Sequence, residues 1–216
     1  MPGLIIGNKA EVVPELEVTS WYEHDGLRLR SGEDCRRRFT KWIRGIVLHT
    51  TRGIPGGTDR RAQQLWSGLG PHVGAGERIG RYCSTDKGKA GAHLVVDFDG
   101  SVTCLADLRL DAAYHAGEVN EVSIGIEIYQ GADAELYEGQ LTAVVRLVDW
   151  LTTRFGIQRQ MPPLAARGVV SRIARGAKDV VGVYGHRHVT TNRGAGDPGD
   201  AIFERLDAAG YRSYDF

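Results

Sequence analysis

Two histidines follow apolar segments that have the composition of buried strands. His49 ends the segment 42–49, Trp-Ile-Arg-Gly-Ile-Val-Leu-His, and His186 directly follows the segment 180–185. Side chains at strand ends beside loops are often recruited for binding and catalysis. Neutral imidazole is a common metal ligand, so two such strands lying side by side would bring two ligands together. For either histidine alone, a hydrogen-bonded structural role is the alternative.

Asp197 is the candidate third ligand, eleven residues after His186. A catalytic zinc site typically uses three protein ligands and keeps one position for water, and a carboxylate is an accepted ligand. The competing interpretation is structural, because an aspartate followed by Pro198 and a helix makes a good N-cap. The pattern leaves both roles open.

A further carboxylate, Glu127, lies on a strand predicted over residues 122–129. Side chains alternate between the two faces of a strand. One face of this strand carries Val122, Ile124, Ile126 and Ile128, and the other carries Ser123, Gly125, Glu127 and Tyr129. We therefore expect Glu127 to point away from the more apolar face, with small neighbours beside it. A solvated strand glutamate is the alternative.

Five short elements occur in order along residues 43–205. They are His49-Thr50 at a strand end, Ala92-His93 opening a strand that runs to Asp99-Gly100, His115-Ala116-Gly117 followed by Asn120, Ser123-Ile124-Gly125-Ile126-Glu127, and Gly185-His186-Arg187 followed by Asp197-Pro198-Gly199. This pattern resembles the zinc amidases of the amidase-2 type, whose superfamily includes the peptidoglycan recognition proteins. Each element alone is weak, whereas all five in order are specific.

The resemblance implies an α/β fold with a central mixed β-sheet flanked by helices and a short N-terminal extension. It implies one Zn²⁺ per chain, held by His49, His186 and Asp197, although many relatives carry Cys at the third position. Glu127 would be the general base. The implied reaction is hydrolysis of the amide bond between N-acetylmuramic acid and L-alanine of the stem peptide, with peptidoglycan or a muropeptide as the binding partner.

Two positions depart from the family pattern. Many relatives carry Lys two residues before the third ligand, where this chain has Ala195, and others carry Tyr where it has Ala92. We expect another residue to replace this electrostatic helper, and the candidates are Arg193 and His188, both in the loop before the third ligand. The alternative is that both are surface residues.

Three residues match the segment in which relatives bind the muropeptide. They are His115, Asn120 and Tyr114, which the resemblance implies as substrate contacts; Tyr114 replaces a frequent Trp and could stack on a sugar. Three rival functions stay open: a non-catalytic peptidoglycan-binding recognition module, a zinc hydrolase that acts on another amide, and a purely structural role.

The domain pattern places an extension at residues 1–40 and the catalytic domain at 41–216. Within the latter we expect a Gly/Pro-rich loop at 53–57, a helix near 58–69 and a long loop at 70–91. Strands and helices mix without regular alternation, which favours a mixed sheet with helices packed on it.

Three later elements have clear sequence signals. Asp99-Gly100 predicts a hairpin with a two-residue turn. A final helix is expected between Pro198 and Gly210. The longest amphipathic helix closes at Gly156, and its apolar face carries Leu141, Val144, Val145, Val148, Leu151 and Phe155.

The composition gives no overall charge signal for a polyanionic partner, and a local basic patch is the alternative. Lys plus Arg and Asp plus Glu are 27 each in 216 residues, so no net field favours nucleic acid or an anionic membrane. No apolar run approaches the ~20 residues of a membrane span, and the N-terminus lacks a signal-peptide pattern. We expect synthesis in the cytoplasm, with action on the cell wall after release or delivery, or on recycled muropeptides. The oligomeric state has no sequence signal.

The cysteines and the arginine cluster have simple interpretations. The three cysteines predict free thiols in a reducing compartment, with one disulfide plus one thiol as the alternative. The arginines at 36–38 are most simply a solvated face.

Overall fold

A computed structural model describes residues 3–24, 26–51, 91–97, 99–130, 136–164, 179–190 and 197–214. The predicted helix near 58–69, the loop 53–57, all but the last residue of the loop 70–91, and Arg193 lie outside these ranges.

Within the described ranges the strands have the following bounds, in chain order. They are β1 (Leu4–Ile6), β2 (Lys9–Glu11), β3 (Val18–Ser20), β4 (Cys35–Arg37), β5 (Gly45–Thr50), β6 (Leu94–Val96), β7 (Val102–Cys104), β8 (Asp111–Ala113), β9 (Ser123–Ile128), β10 (Gln160–Met161), β11 (Gly182–Gly185) and β12 (Arg212–Ser213). The helices are α1 (Glu138–Phe155), α2 (His186–Val189) and α3 (Asp200–Ala208), with a 3₁₀ helix at Gly117–Val122.

Six of these strands form the central sheet of the described part, in the order β11-β5-β9-β6-β7-β3. The pairs β11–β5, β5–β9, β9–β6 and β7–β3 are parallel, whereas β6–β7 is antiparallel. The expected mixed α/β sheet is therefore confirmed.

One face of this sheet, the apolar face, packs against α1 and α3. Its strand residues are fully buried and comprise Ile46, Leu48, Leu94, Val96, Ile124, Ile126 and Val183. From the helices, Val144, Leu147, Val148 and Leu151 of α1 and Ile202, Phe203 and Leu206 of α3 join the same core. The 3.6-residue spacing of apolar positions in α1 predicts this packing, and the helix ends at Gly156, whose φ of +66° suits glycine.

The opposite face of the same strands, the site face, carries smaller and more polar residues. The register pairs Val47 with Gly125, His49 with Glu127, and Val95 with Glu127, so these side chains share one side of the sheet. The site face is covered by the 3₁₀ helix and by the segment around Leu29 and Cys35.

The N-terminal residues are part of the same body. Strand β3 forms one edge of the central sheet beside β7, and β4 pairs with β8. Leu4 and Ile5 are fully buried in the core that α1 closes. The extension thus completes the sheet edge, while its proposed boundary at residue 40 stays a prediction.

Several sequence-based bounds need correction. Asp97 N–H donates to Ser101 O at 2.9 Å, so three residues rather than two separate the paired hairpin ends, with Gly100 at φ +88°. Val122 belongs to the 3₁₀ helix and packs on the site face, not with Ile124. Arg38 is only 7% exposed, so the arginine cluster is not uniformly solvated.

Two of the three cysteines can be described. Cys35 and Cys104 are buried free thiols, and burial raises the pKa of each to about 12. Among the described helices, none has the length and apolar character of a membrane span.

Candidate metal centre

His49 and His186 meet at one edge of the sheet because β5 and β11 are parallel neighbours. Leu48 pairs with Gly185 across the two strands, and His49 and His186 are the next residues after that pair. The two Nδ1 atoms are 2.9 Å apart, and His186 Nδ1 lies 3.1 Å from Asp197 Oδ2. One ligand atom from each of the three residues lies within 4.8 Å of the others. The three residues are 4%, 5% and 2% exposed, respectively.

Asp197 is held on both carboxylate oxygens. Oδ1 accepts a 2.9 Å hydrogen bond from the Thr50 backbone N–H, and Oδ2 faces His186. Burial alone would raise the pKa of Asp197, but the His186 hydrogen bond, His49 and the Thr50 N–H hold that pKa below its ordinary value. The N-cap of α3 is Gly199, which makes no side-chain cap bond. The N-cap interpretation of Asp197 is therefore wrong.

These donors fit Zn²⁺. Two imidazole nitrogens and one carboxylate are a known set for catalytic zinc, with one position left for water. With bond lengths of about 2.0–2.1 Å, neighbouring donors of a tetrahedral site lie roughly 3.3 Å apart. The observed 2.9 and 3.1 Å separations are close to that spacing. That the trio binds zinc stays a prediction.

The second nitrogen of His49 also has a partner. His49 Nε2 lies 3.0 Å from His115 Nδ1, and His115 Nε2 lies 3.3 Å from Ser123 Oγ. Ser123 Oγ in turn donates to Val119 O at 2.7 Å. Burial, together with the nearby His49 and His93, lowers the pKa of His115 well below its ordinary value, which favours the neutral ring.

Gly125 makes room for the His115 ring. A Cβ at residue 125 would lie 2.5 Å from His115 Cγ, which is far inside van der Waals contact. Glycine at this point of β9 is therefore required by a close approach rather than by its φ angle.

Glu127 lies on the central strand of the site face, paired with His49 across β5 and β9. Adjacent strands are separated by about 4.8 Å, and paired residues point to the same side. Glu127 is partly exposed. The register thus puts Glu127 on the same side of the sheet as His49, on the side away from Ile124 and Ile126 as its alternation predicts.

A buried arginine, Arg38, forms hydrogen bonds with the backbone that leads into β9. Arg38 donates to the Asn120 and Ser123 carbonyls at 3.0 Å each, and also to the Glu121 carbonyl. It also lies 3.1 Å from His93 Nε2, while His93 Nδ1 accepts from Gly125 N–H at 3.0 Å. Burial, followed by the Arg38 charge, lowers the pKa of His93 to about 3.

The other predicted site residues have different surroundings. His188 is buried, accepts from Gly185 N–H at 3.0 Å and packs edge-on against Phe203, contacts that favour a structural role. Asn120 Oδ1 accepts from the backbone N–H groups of His115 and Ala116. Tyr114 is partly exposed. Arg193 lies outside the described residues.

Sequence reasoning missed Ser123 and the backbone of Thr50. Ser123 has a recoverable signal, because it alternates with Gly125 and Glu127 on the site face. The Thr50 N–H carries none, since any residue supplies a backbone donor.

A family model described as N-acetylmuramoyl-L-alanine amidase matches residues 39–200, most of the chain. The fold is similar to that of the drosophila peptidoglycan recognition protein SD, with TM-score 0.52 and 18% identity over 93% of this chain and 99% of that chain. A comparison with curated protein sequences gave no match.

Two solved structures of endolysins also match. A mutant endolysin from Bacillus subtilis has TM-score 0.51 and 18% identity, covering 84% of this chain and 92% of that chain. The endolysin N-acetylmuramoyl-L-alanine amidase LysCS from Clostridium intestinale URNW has TM-score 0.48 and 16% identity, covering 92% and 96%. At these identities the likenesses concern the fold alone.

Proposed function

The chain belongs to the N-acetylmuramoyl-L-alanine amidase family, and from that premise we propose that it is a zinc-dependent peptidoglycan amidase. The bond cut is the amide between N-acetylmuramic acid and L-alanine of the stem peptide. The observation that carries the proposal is the buried convergence of His49, His186 and Asp197 at one edge of the sheet.

The residues divide the work of amide hydrolysis. Zinc, when bound by this trio, would supply a Lewis acid that polarises the scissile carbonyl and acidifies water. The Glu127 carboxylate would accept a proton from the water that attacks the carbonyl carbon. As the C–N bond breaks, Glu127 would return that proton to the nitrogen of L-alanine, which leaves as an amine. The Thr50 N–H would keep Asp197 oriented throughout.

We propose that the electrostatic helper absent at Ala195 and Ala92 is supplied by another residue between His186 and Asp197. The internal contacts of His188 leave Arg193 as the better candidate for stabilising the developing oxyanion. An oxyanion donor is typically worth ~10²–10³ in turnover. Wild-type turnover by Arg193→Ala would contradict this role. Tyr114 remains the proposed substrate contact, and an unchanged KM in Tyr114→Ala would argue against it.

The test counts L-alanine amino groups released from purified peptidoglycan. We expect release that a chelator abolishes and added Zn²⁺ restores. Asp197→Asn, which keeps the shape of the side chain but removes its charge, should lose both zinc and release. Asp207→Asn, at an exposed position of α3, is the matched control and should behave as wild type.

Two other outcomes would contradict the proposal. Tight binding to peptidoglycan by the zinc-loaded protein without any release would favour a recognition module, the alternative function for this fold. Equal cleavage of plain peptides with the same stem sequence would indicate a hydrolase for another amide.

A further inference from the structure

We propose that Ser123 and His115 form an oriented hydrogen-bond chain that decides which nitrogen of His49 carries its proton. The chain runs from the Val119 carbonyl to the candidate metal centre and makes His115 and Ser123 positioning residues. The inference rests on the proposed function, because the proton position on His49 matters for a metal that this residue would bind. The direction of the hydrogen bonds can be measured in the metal-free protein.

The direction of donation along these hydrogen bonds follows from their end at the Val119 carbonyl. The Val119 carbonyl can only accept, so the Ser123 hydroxyl must donate its proton there, at 2.7 Å. Ser123 Oγ then has only lone pairs to offer His115 Nε2 at 3.3 Å, which makes that nitrogen the N–H of a neutral ring. The other nitrogen of His115, Nδ1, is therefore an acceptor.

The same polarity passes to the candidate ligand. His115 Nδ1, as an acceptor 3.0 Å from His49 Nε2, requires the His49 proton to be on Nε2. His49 Nδ1 then carries no proton, and this is the atom that faces His186 Nδ1 and the Asp197 side of the centre. A bare nitrogen pointing at the other donors is what a metal ligand needs.

The opposite orientation is disfavoured by burial. If His49 carried its proton on Nδ1, the whole chain would have to reverse, and the Ser123 hydroxyl would turn away from the Val119 carbonyl. Ser123 is fully buried and His115 is 8% exposed, so water gives little compensation. A buried polar group left without its partner is destabilising, because neither water nor the protein satisfies it.

The surroundings hold the chain in place. Asn120 Oδ1 accepts from the backbone N–H of His115 at 3.1 Å and of Ala116 at 2.7 Å, which fixes the loop that carries the ring. Gly125 lets the ring approach β9, since a Cβ there would lie 2.5 Å from His115 Cγ. These contacts fix the position of the His115 ring.

The first experiment reads the tautomers directly in metal-free wild-type protein. Long-range ¹H–¹⁵N NMR of the imidazole rings should show both His49 and His115 protonated on Nε2. A proton on Nδ1 of either ring would overturn the proposal, whether or not the protein cuts peptidoglycan. Correct tautomers without amidase activity would instead count against the proposed function alone.

The second experiment measures Zn²⁺ affinity by competition with a chromophoric chelator. Loss of a hydrogen bond behind a metal ligand typically weakens binding about 10–100-fold. We expect that loss in His115→Leu and a smaller loss in Ser123→Ala. His115→Asn should restore near wild-type affinity, because its amide oxygen can replace Nδ1 as the acceptor. Ser213→Ala, at an exposed position of β12, is the control. Wild-type affinity in His115→Leu would overturn the positioning role.

Discussion

The apolar face and the site face are built from alternate residues of the same strands, yet they are held together in different ways. On β9, Ile124 and Ile126 are fully buried against α1 and α3, whereas Gly125 and Glu127 point to the opposite side. The apolar face is stabilised by area removed from water, and many similar side chains would serve there. The site face depends on individual hydrogen bonds and on one missing Cβ.

This difference predicts which substitutions affect chemistry and which affect stability. Truncations on the apolar face should lower the free energy of unfolding and leave the centre intact when folded. Changes on the site face should alter metal affinity or turnover by more than their effect on stability. The predictions below run from the largest expected effect to the smallest.

Glu127→Gln should lower amidase turnover about 10²–10⁴-fold, the usual contribution of a general acid–base group. The zinc content should not change, because Glu127 is not one of the three proposed ligands. Steady-state turnover and zinc per chain are the measurements, and Glu204→Gln, exposed on α3, is the control. A Glu127→Gln variant with normal turnover would remove the carboxylate from the mechanism.

Leu147→Ala should lower the free energy of unfolding by about 2–5 kcal/mol, because it leaves a cavity between α1 and the sheet. Chemical denaturation measures the loss, and Leu164→Ala, at a 43% exposed position, should stay within about 0.5 kcal/mol of wild type. Turnover by the folded fraction should be retained. Loss of zinc from folded Leu147→Ala would contradict the expectation that the apolar face affects stability and not the metal centre.

Gly125→Ala should lower the free energy of unfolding by about 1–3 kcal/mol through overpacking against His115. A double-mutant cycle with His115→Ala isolates the cause, since removing the ring should relieve most of the cost. Additive effects of the two changes would mean that Gly125 is needed for another reason.

Acidification should destabilise the metal-free protein through its buried neutral histidines. The pKa of His93 is lowered to about 3 by burial and Arg38, against roughly 6.5 in an unfolded chain. Between those values the unfolded state binds a proton that the folded state does not, so stability falls as pH drops below about 6.5. Each such group contributes at most about 1.4 kcal/mol per pH unit. His93→Gln should reduce the slope, whereas exposed His24→Gln should not; equal slopes in all three proteins would contradict the burial argument.

The apolar face was the more predictable of the two. The i, i+3, i+4 spacing in α1 and the alternation of isoleucines in β9 define it directly, because periodicity records which residues are buried. The same alternation placed Glu127 on the opposite side. Val122 broke the pattern, since the chain is still in a 3₁₀ helix there.

The site face depended on contacts that no local pattern encodes. Asp197 has an N-cap signature, yet both of its oxygens are used at the centre, and the N-cap position is occupied by Gly199. The ring of His115 lies against His49, in space that Gly125 leaves for it, and its expected contact with substrate stays a prediction. Arg38 looked solvated among its neighbours, and only the fold brings three carbonyls around it.

The most direct test of the account is anomalous diffraction at the zinc absorption edge, from crystals of the protein loaded with Zn²⁺. One peak per chain is expected among His49 Nδ1, His186 Nδ1 and Asp197 Oδ2, and none is expected there in Asp197→Asn. A zinc-loaded wild-type crystal with no peak among these three atoms would contradict the proposed centre.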